Sequence, residues 1–567
     1  MKPDRRRYLL LALALSAHSI WPLLAPGYFL DAHDAPHSLF FLVQFDRAIR
    51  DGALIPRWGP DHALGYGYPT FVFYSPLAYY VAEGFHLIGA SITAAVKATY
   101  ALAMVLSVLG MFLLGESLAG SAAAAAVAAV IYAYAPYRFV DMYVRSALAE
   151  SCALALFPWV LWAFWRLTQR PAARRAAAAS LALAALLLTH NVTALLLIPI
   201  LAAFTLFSLV HHRRLGSMPA WAWCAVAAAL AAAIASFSLL PSLLERQYIE
   251  QGQWTRATYN LTDHFAYPGQ MLSPFWGYGY AVPGAEDGMS FQVGLAPLVV
   301  GAGALALAWR DERRRSLAVF FAFATAGYAF LMTPDSESLW HILPMATLAQ
   351  FPWRLLGIVV LGASVLGAIG LSQTATPGTA LLLMLVAVAC GLPYARPQHT
   401  APSPRSETPL GVIDFELKHT DMRGMTAWAE HPPADSPKLE AYLTGQPLPL
   451  AEASPAGAEV QSLYHGGHRQ VVRVRMPESS EVHFHTYYYP GWTAYVDGEA
   501  TAVWPSGSLG VISLVVPAGE HTVEIRFAET PLRAAAKWIT LGAVAVTASL
   551  SVLPSRRTRS PSGNAVA

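Results

Sequence analysis

The feature that most constrains this chain is a succession of apolar runs, each about as long as a bilayer core is thick. Windows of roughly 20 residues fall near 8–30, 94–115, 119–136, 149–167, 176–189, 192–210, 220–241, 291–309, 316–333, 354–372, 378–394 and 534–553. In hydrocarbon every backbone N–H and C=O must be bonded within its own segment, so such runs fold as helices. About twelve spans are expected on this reading. A mean hydropathy of +0.42 and a charged fraction of 13% agree with it, since soluble domains carry about 25% charged residues. The net charge of +2 is too small to attract nucleic acid. The first run follows Arg5, Arg6 and Arg7 and ends in no clear A-x-A site, so it reads as a retained helix. Cys152, Cys224 and Cys390 sit inside apolar runs without C-x-x-C spacing. They read as small buried hydrophobes, not as a disulfide framework.

Residues 71–90 are the doubtful segment, apolar but interrupted by Pro76, Glu83 and His86. Loop charge decides their course, because Lys and Arg collect on the cytoplasmic side. With the N-terminal arginines inside and 71–90 not crossing, four basic groups fall inside: Arg170, Arg174 and Arg175; Arg213 and Arg214; Arg310, Arg313, Arg314 and Arg315; and Arg556, Arg557 and Arg559. If 71–90 crosses, all four move outside. The segment is therefore expected to lie along the outer surface or dip into it. The same count puts 31–93, 137–148, 242–290, 334–353 and 395–533 outside, where nearly all the unusual polar residues lie. The working face of this multi-pass chain, in the plasma (inner) membrane, is thus read as extracytoplasmic.

Residues 395–533 change character, with Pro, Gly, Ser and charged residues replacing the Ala/Leu/Val runs. RQVVRVRMP and SLVVPAGEHTVEIRF alternate with the period of half-buried strands. Between them, YYYPGWTAYVDGEATAVWPSG offers strand, Asp-Gly turn, strand. The expectation is three parts: a helical membrane domain over 1–394 with its first outer loop at 31–93; an all-β sandwich or jelly-roll over 395–533; and a last span with a basic tail over 534–567. His483 and His485 share one strand face without an obvious third ligand, and read as a packed or solvated face.

The candidate chemistry gathers at the outer membrane edge, where ionisable groups are costly to desolvate. Asp31, His33, Asp34 and His37 form a D-x-H-D-x-x-H cluster. One carboxylate there is a candidate general base, with Asp34 first and Asp31 second, and His37 is a candidate to orient it. Asp34 followed by Pro36 also suits the start of a helix over 37–50. A zinc site from His33, Asp34 and His37 is a further alternative, so a divalent metal stays open. YRFVDMYVRSALAE places Arg138, Asp141, Arg145 and Glu150 at the next outer mouth. Arg145 either grips a phosphate in bidentate fashion or pairs with Glu150. AQFPWRLLG places Arg354 at the outer end of a span, as an interfacial anchor or a phosphate ligand. Arg57 and Trp58, Tyr66, His190 with Asn191, and Glu245 complete the set as candidate phosphate or substrate contacts.

Taken in order, these motifs resemble a known family. Asp34 and His37, then Gly52, Pro56, Arg57 and Trp58, then Gly65, Tyr66, Gly67 and Pro69 match the first half of its pattern. Tyr143, Val144, Arg145 and Glu150, then Thr189, His190 and Asn191, then Phe351, Pro352, Trp353 and Arg354 match the second. The chain resembles the membrane proteins labelled 6-pyruvoyl-tetrahydropterin synthase-related, which look like members of the GT-C glycosyltransferase superfamily. Nothing in the sequence is similar to a soluble pterin synthase with a three-histidine zinc site. The resemblance implies a polyprenyl-phosphate-linked sugar donor and an inverting transfer on the outer face. The acceptor would be an extracytoplasmic glycan, lipid or protein, and an acidic residue in the first outer loop, here Asp34, would deprotonate or orient it. One branch of the superfamily uses a divalent metal and others do not. A non-catalytic flippase or exporter of lipid-linked glycans is the alternative, but it would bury charges deep within its spans. Here they gather on one face.

Overall fold

The computed structural model describes residues 3–254, 259–286, 288–309, 311–342, 346–401, 403–454 and 457–553. Arg310, Arg556, Arg557 and Arg559 lie outside these. Among the described residues, eight helices are long and apolar enough to cross a membrane. They are Asp4–Leu24, Ile92–Ala119, Leu148–Gln169, Asn191–His211, Met218–Leu244, Pro352–Leu371, Pro377–Tyr394 and Pro531–Val552. Two bent pairs raise the number to ten at most: Ala122–Ala133 with Pro136–Val144 at 47°, and Arg314–Leu331 with Pro334–Ile342 at 94°.

Every apolar window of the sequence overlaps a helix, but eight to ten spans replace the expected twelve. The difference is length. Ala173–Thr189 has 17 residues and Leu295–Ala308 has 14, and at ~1.5 Å per residue both are shorter than a ~30 Å hydrocarbon core. The T-H-N break is a tight turn, with Thr189 closing one helix and Asn191 opening the next. Residues 71–90 form two pieces, Thr70–Phe73 and Leu77–Leu87, split before Pro76. The longer has 11 residues, too few to cross. Small residues let the spans approach: a Cβ on Gly370 would meet Ala304 Cα at 2.3 Å.

The all-β part is two antiparallel sheets. Strands β1 (Ala451–Ala453), β2 (Glu459–His465), β3 (Arg469–Met476), β4 (Ser480–Tyr487), β5 (Trp492–Val496), β6 (Glu499–Thr501), β7 (Trp504–Ser506), β8 (Val511–Val516) and β9 (Gly519–Phe527) arrange as β1-β4-β8-β7 and β2-β3-β9-β5-β6. Val472, Val474, Phe484, Ile512, Leu514, Val523 and Ile525 form the core between them. Asp497 and Gly498 turn β5 into β6 with φ of +50° and +88°, the paired left-handed geometry that an Asp-Gly hairpin supplies. His483 contacts Ser513 Oγ and His485 contacts the Pro449 carbonyl.

The loop over residues 31–93 carries the β domain. Trp58 is buried against Trp492 and Phe527, each ring centroid 5.3 Å away. Tyr66 stacks on Tyr487 at 5.4 Å. Ala63 and Leu64 hold left-handed φ of +52° and +55°, and Glu416 accepts both their N–H groups at 2.9 and 2.7 Å. Buried Asp61 pairs with Arg47 and accepts from Gln44 (2.7 Å) and Tyr442 (2.5 Å). Glu245, at the end of the Met218–Leu244 helix, meets Arg533 of the last helix at 2.8 Å and Tyr489 Oη at 3.1 Å. Fully buried Lys438 donates to the carbonyls of Gly65 and His485, each at 2.6 Å.

Burial pushes the Lys438 ammonium down to about 7, with Asp61 opposing and Arg47 adding to the shift. A lysine in an unfolded chain titrates near ~10.4. Between these values the unfolded chain holds a proton that the folded one lacks, so stability rises with pH across that window. Below pH 7 the folded chain must charge a buried amine and the penalty is complete. The melting temperature in detergent should climb from pH 7 to about 9.5 relative to Lys438→Met, which has no such group. Parallel profiles for the two proteins would show that Lys438 stays charged.

Candidate functional site

Two irregular stretches of backbone frame the main charge cluster. Val140–Val144 forms a π-helical turn, and the Arg145 N–H donates five residues back to the Val140 carbonyl at 2.8 Å. Such turns recur at functional sites. Ser146 follows with φ +54°, a left-handed conformation costing a non-glycine residue about 1 kcal/mol. Its buried hydroxyl is held 3.0 Å from Tyr28 Oη and 3.3 Å from Tyr100 Oη. On the second stretch Gln350 has φ +57°, and its Oε1 accepts from Arg354 Nη1 at 3.2 Å. Strain of this kind persists where surrounding packing over-determines it.

Between these stretches Arg145 and Arg354, remote in sequence, meet on one carboxylate. Arg145 Nη1 donates to Glu150 Oε2 at 2.8 Å and to Asp141 Oδ1 at 2.5 Å. Arg354 Nε stands 3.2 Å from the same Glu150 oxygen but out of line for a hydrogen bond. Tyr137 Oη donates to Glu150 Oε1 at 2.8 Å and Ser151 Oγ to Asp141 Oδ2 at 2.6 Å. The Arg145 guanidinium lies 4.6 Å over the Trp353 ring, a cation–π contact that also fixes its plane.

Asp34 is pinned to this cluster by backbone. Its N–H donates to the Arg145 carbonyl at 2.7 Å, and the His33 N–H to the Val144 carbonyl at 3.2 Å. Its Oδ2 lies 3.9 Å from Arg145 Nη2, and the side chain remains 47% exposed. Pro36 starts the Ala35–Arg50 helix, yet the Asp34 side chain makes no capping hydrogen bond to it. The residue is thus a half-open carboxylate beside a buried guanidinium. Asp31 is exposed on the same loop. Burial lowers the His33 pKa against the pull of Asp34, and lowers that of His37 as well.

The other sequence candidates separate. His37 packs among Phe40, Phe41 and Phe415, the last 4.6 Å away, and its Nδ1 has no hydrogen-bond partner. It therefore does not hold the Asp34 carboxylate. Trp58, Tyr66 and Glu245, expected as substrate contacts, are buried in the docking of the β domain. Arg57 sits at that junction too: it is buried, donates to the Phe237 carbonyl at 2.7 Å, and shares no contact with Arg145 or Arg354. His190 caps the Asn191–His211 helix, its Nδ1 accepting the Thr193 N–H at 3.3 Å, while its ring feels the charges of Glu150 and Arg354. Asn191 Oδ1 accepts only the N–H of the next residue. Tyr137, Trp353 and Gln350 escaped notice as supports of the arginines: Trp353 meets Arg145 only through the fold, and Gln350 and Tyr137, though near in sequence to Arg354 and Glu150, carry no pattern that marks the contact.

Among the described residues no three His, Cys, Asp or Glu side chains are placed to share an ion. Asp141 and Glu150 are already engaged by Arg145. No step is routed through a metal.

A small apolar cleft of about 80 Å3 opens between helices Leu77–Leu87, Ile92–Ala119 and Leu148–Gln169. Leu77, Val81, Leu102, Leu106, Cys152 and Thr189 line it. Cys152 lies two residues beyond Glu150 on the Leu148–Gln169 helix, on a different face of it, and Thr189 directly precedes His190.

A family model described as "6-pyruvoyl-tetrahydropterin synthase related domain; membrane protein" matches residues 71–394. No curated protein matches the sequence. Similar solved structures include these three. Arabinofuranosyltransferase AftD from Mycobacteria is 17% identical, covering 93% of this chain and 40% of its own, at a TM-score of 0.45. The Archaeoglobus fulgidus oligosaccharyltransferase is 14% identical, with 75% and 60% covered, at 0.41. ArnT from Cupriavidus metallidurans, bound to undecaprenyl phosphate, is 14% identical, with 68% and 63% covered, at 0.38. The chain spans less than two thirds of each.

Proposed function

The chain belongs to the 6-pyruvoyl-tetrahydropterin synthase-related family of membrane proteins, and from that premise we propose that it is an integral membrane glycosyltransferase of GT-C type. Its donor is a sugar on a polyprenyl phosphate, and its acceptor an extracytoplasmic molecule bearing a hydroxyl. The observation that carries this reading is the junction of half-exposed Asp34 with the Arg145–Glu150–Arg354 cluster. A prenyl chain needs an apolar groove, a phosphate needs arginines, and an attacking hydroxyl needs a base. The carboxylate and the arginines meet in one cluster, and the helix that bears Glu150 also forms part of the cleft wall.

The transfer proceeds in one displacement. Asp34 takes the acceptor hydroxyl proton while that oxygen forms a bond to the anomeric carbon. The bond from that carbon to the phosphate oxygen breaks, and its electron pair leaves with the polyprenyl phosphate. Negative charge grows on the phosphate, where Arg354 and Arg145 stabilise it in a water-poor setting. Inversion at the anomeric carbon follows from attack opposite the leaving group.

Two measurements test the reading. In a strain lacking the gene, mass spectrometry should find a polyprenyl-phosphate sugar accumulating and a surface glycan, lipid or protein lacking that sugar. Unchanged pools would overturn it, and accumulation of a complete lipid-linked glycan would favour a flippase. Sidedness follows separately from the loop charges: Phe85→Cys should react with an impermeant thiol reagent from outside, and Ala172→Cys only from inside. Labelling of both from one side would refute this topology.

A further inference from the structure

Tyr280 is both stacked and open. Its ring centroid lies 4.2 Å from that of His33 at an interplanar angle of 21°, yet the residue is 65% exposed. One face of the phenol is covered and the other is free. The pair is held in place from behind. His33 is fixed by its bond to the Val144 carbonyl, and its Nε2 sits 3.4 Å from the Tyr278 carbonyl. The loop bearing Tyr280 closes on itself through the Tyr278–Met289 bridge and the Gly279 N–H, which donates to the Gly288 carbonyl at 2.8 Å. A Cβ on Gly288 would meet the Tyr280 carbonyl at 2.0 Å, so the close approach requires glycine. Tyr278 Oη anchors the loop by donating to the Arg396 carbonyl. The ring thus covers the residue directly before Asp34, and Asp31 is exposed on the same loop.

We propose that the outer face of Tyr280, backed by His33, is the acceptor subsite and that the acceptor is a carbohydrate. This rests on the transferase reading above and specifies its second substrate. An occupant must lay an apolar face on the ring and offer hydrogen-bond donors to the neighbouring carboxylates. A sugar does both, with C–H bonds across one face and hydroxyls around its edge. A lipid tail would strip water from the carboxylates without replacing its hydrogen bonds. A basic peptide would satisfy ring and carboxylates together. However, the Arg145 guanidinium already stands 3.9 Å from Asp34, and a second cation would occupy the carboxylate that must take a proton. A sugar hydroxyl on the Tyr280 face instead faces Asp34 with its proton still to give.

The test uses the full chain in lipid nanodiscs, titrated separately with trisaccharides of glucose, mannose and galactose, with trilysine, and with undecaprenyl phosphate. At least one trisaccharide should bind. Tyr280→Ala should weaken it about tenfold, the scale of one aromatic stacking contact, and Tyr280→Trp should retain it. Undecaprenyl phosphate binding should be unchanged by Tyr280→Ala and lost in Arg354→Ala. The proposal is overturned if no trisaccharide binds, if binding ignores Tyr280→Ala, or if trilysine is the ligand that Tyr280 controls. Trisaccharide binding through Tyr280 without any binding of undecaprenyl phosphate would sink the transferase reading and leave the carbohydrate subsite standing.

Discussion

Replacing Asp34 by Asn should reduce sugar transfer roughly a hundredfold or more while leaving the protein folded and inserted. The structure makes this substitution unusually clean. The Asp34 side chain caps no helix, so no cap is lost. Its loop is held by backbone bonds to Val144 and Arg145, which Asn keeps. The side chain is 47% exposed, so the amide has room and water. What changes is the capacity to accept a proton and the attraction to Arg145. Asp31→Asn is the companion measurement and should cost less, because no contact ties Asp31 to the arginines. Transfer assays on both variants, with melting temperatures recorded alongside, decide the assignment. Full activity in a well-folded Asp34→Asn protein with an inactive Asp31→Asn protein would move the role to Asp31. Activity in both would leave the carboxylate mechanism without support.

What the sequence made legible was local. The Asp497-Gly498 turn, the T-H-N break between two apolar helices and the shortness of 71–90 all depend on neighbours within a few residues. Arg145 beside Glu150 was readable as a pair for the same reason, five positions apart on one outer turn. Span number differs between the two readings because a hydropathy window of about 20 residues can cover a helix of only 14 or 17. The larger misreading concerned Trp58, Tyr66 and Glu245. Polar and aromatic residues beside a membrane suggest a substrate wall, but they equally suit a platform for a second domain. Choosing between these requires knowing that Trp58 meets Trp492 and that Glu245 meets Arg533, contacts spanning hundreds of residues. His37 separates from Asp34 for a different reason: its spacing fits one helical turn, but Phe415, from a helix more than 370 residues on in the chain, packs against the ring.

Arg145→Met should destabilise the protein by about 3–5 kcal/mol, the cost of removing one partner from a buried ionic cluster. Asp141 and Glu150 are both buried, and Arg145 is the cation within hydrogen-bond distance of each. Arg354 cannot take its place, since it reaches Glu150 only and out of hydrogen-bond alignment. Met retains the length needed to pack against Trp353, so the loss isolates charge from volume. Arg145→Lys keeps the charge but cannot span Asp141 and Glu150 with a planar fork, and should fall between Met and the native protein. Chemical denaturation of the three proteins in one detergent measures the differences. A Met variant as stable as the native chain would mean that the two carboxyl groups are held without Arg145, and the arginine would then serve only the bound phosphate. The Asp141→Asn, Arg145→Met double variant supplies the control. Removing one acid with the cation should recover part of the loss, because fewer uncompensated charges remain buried.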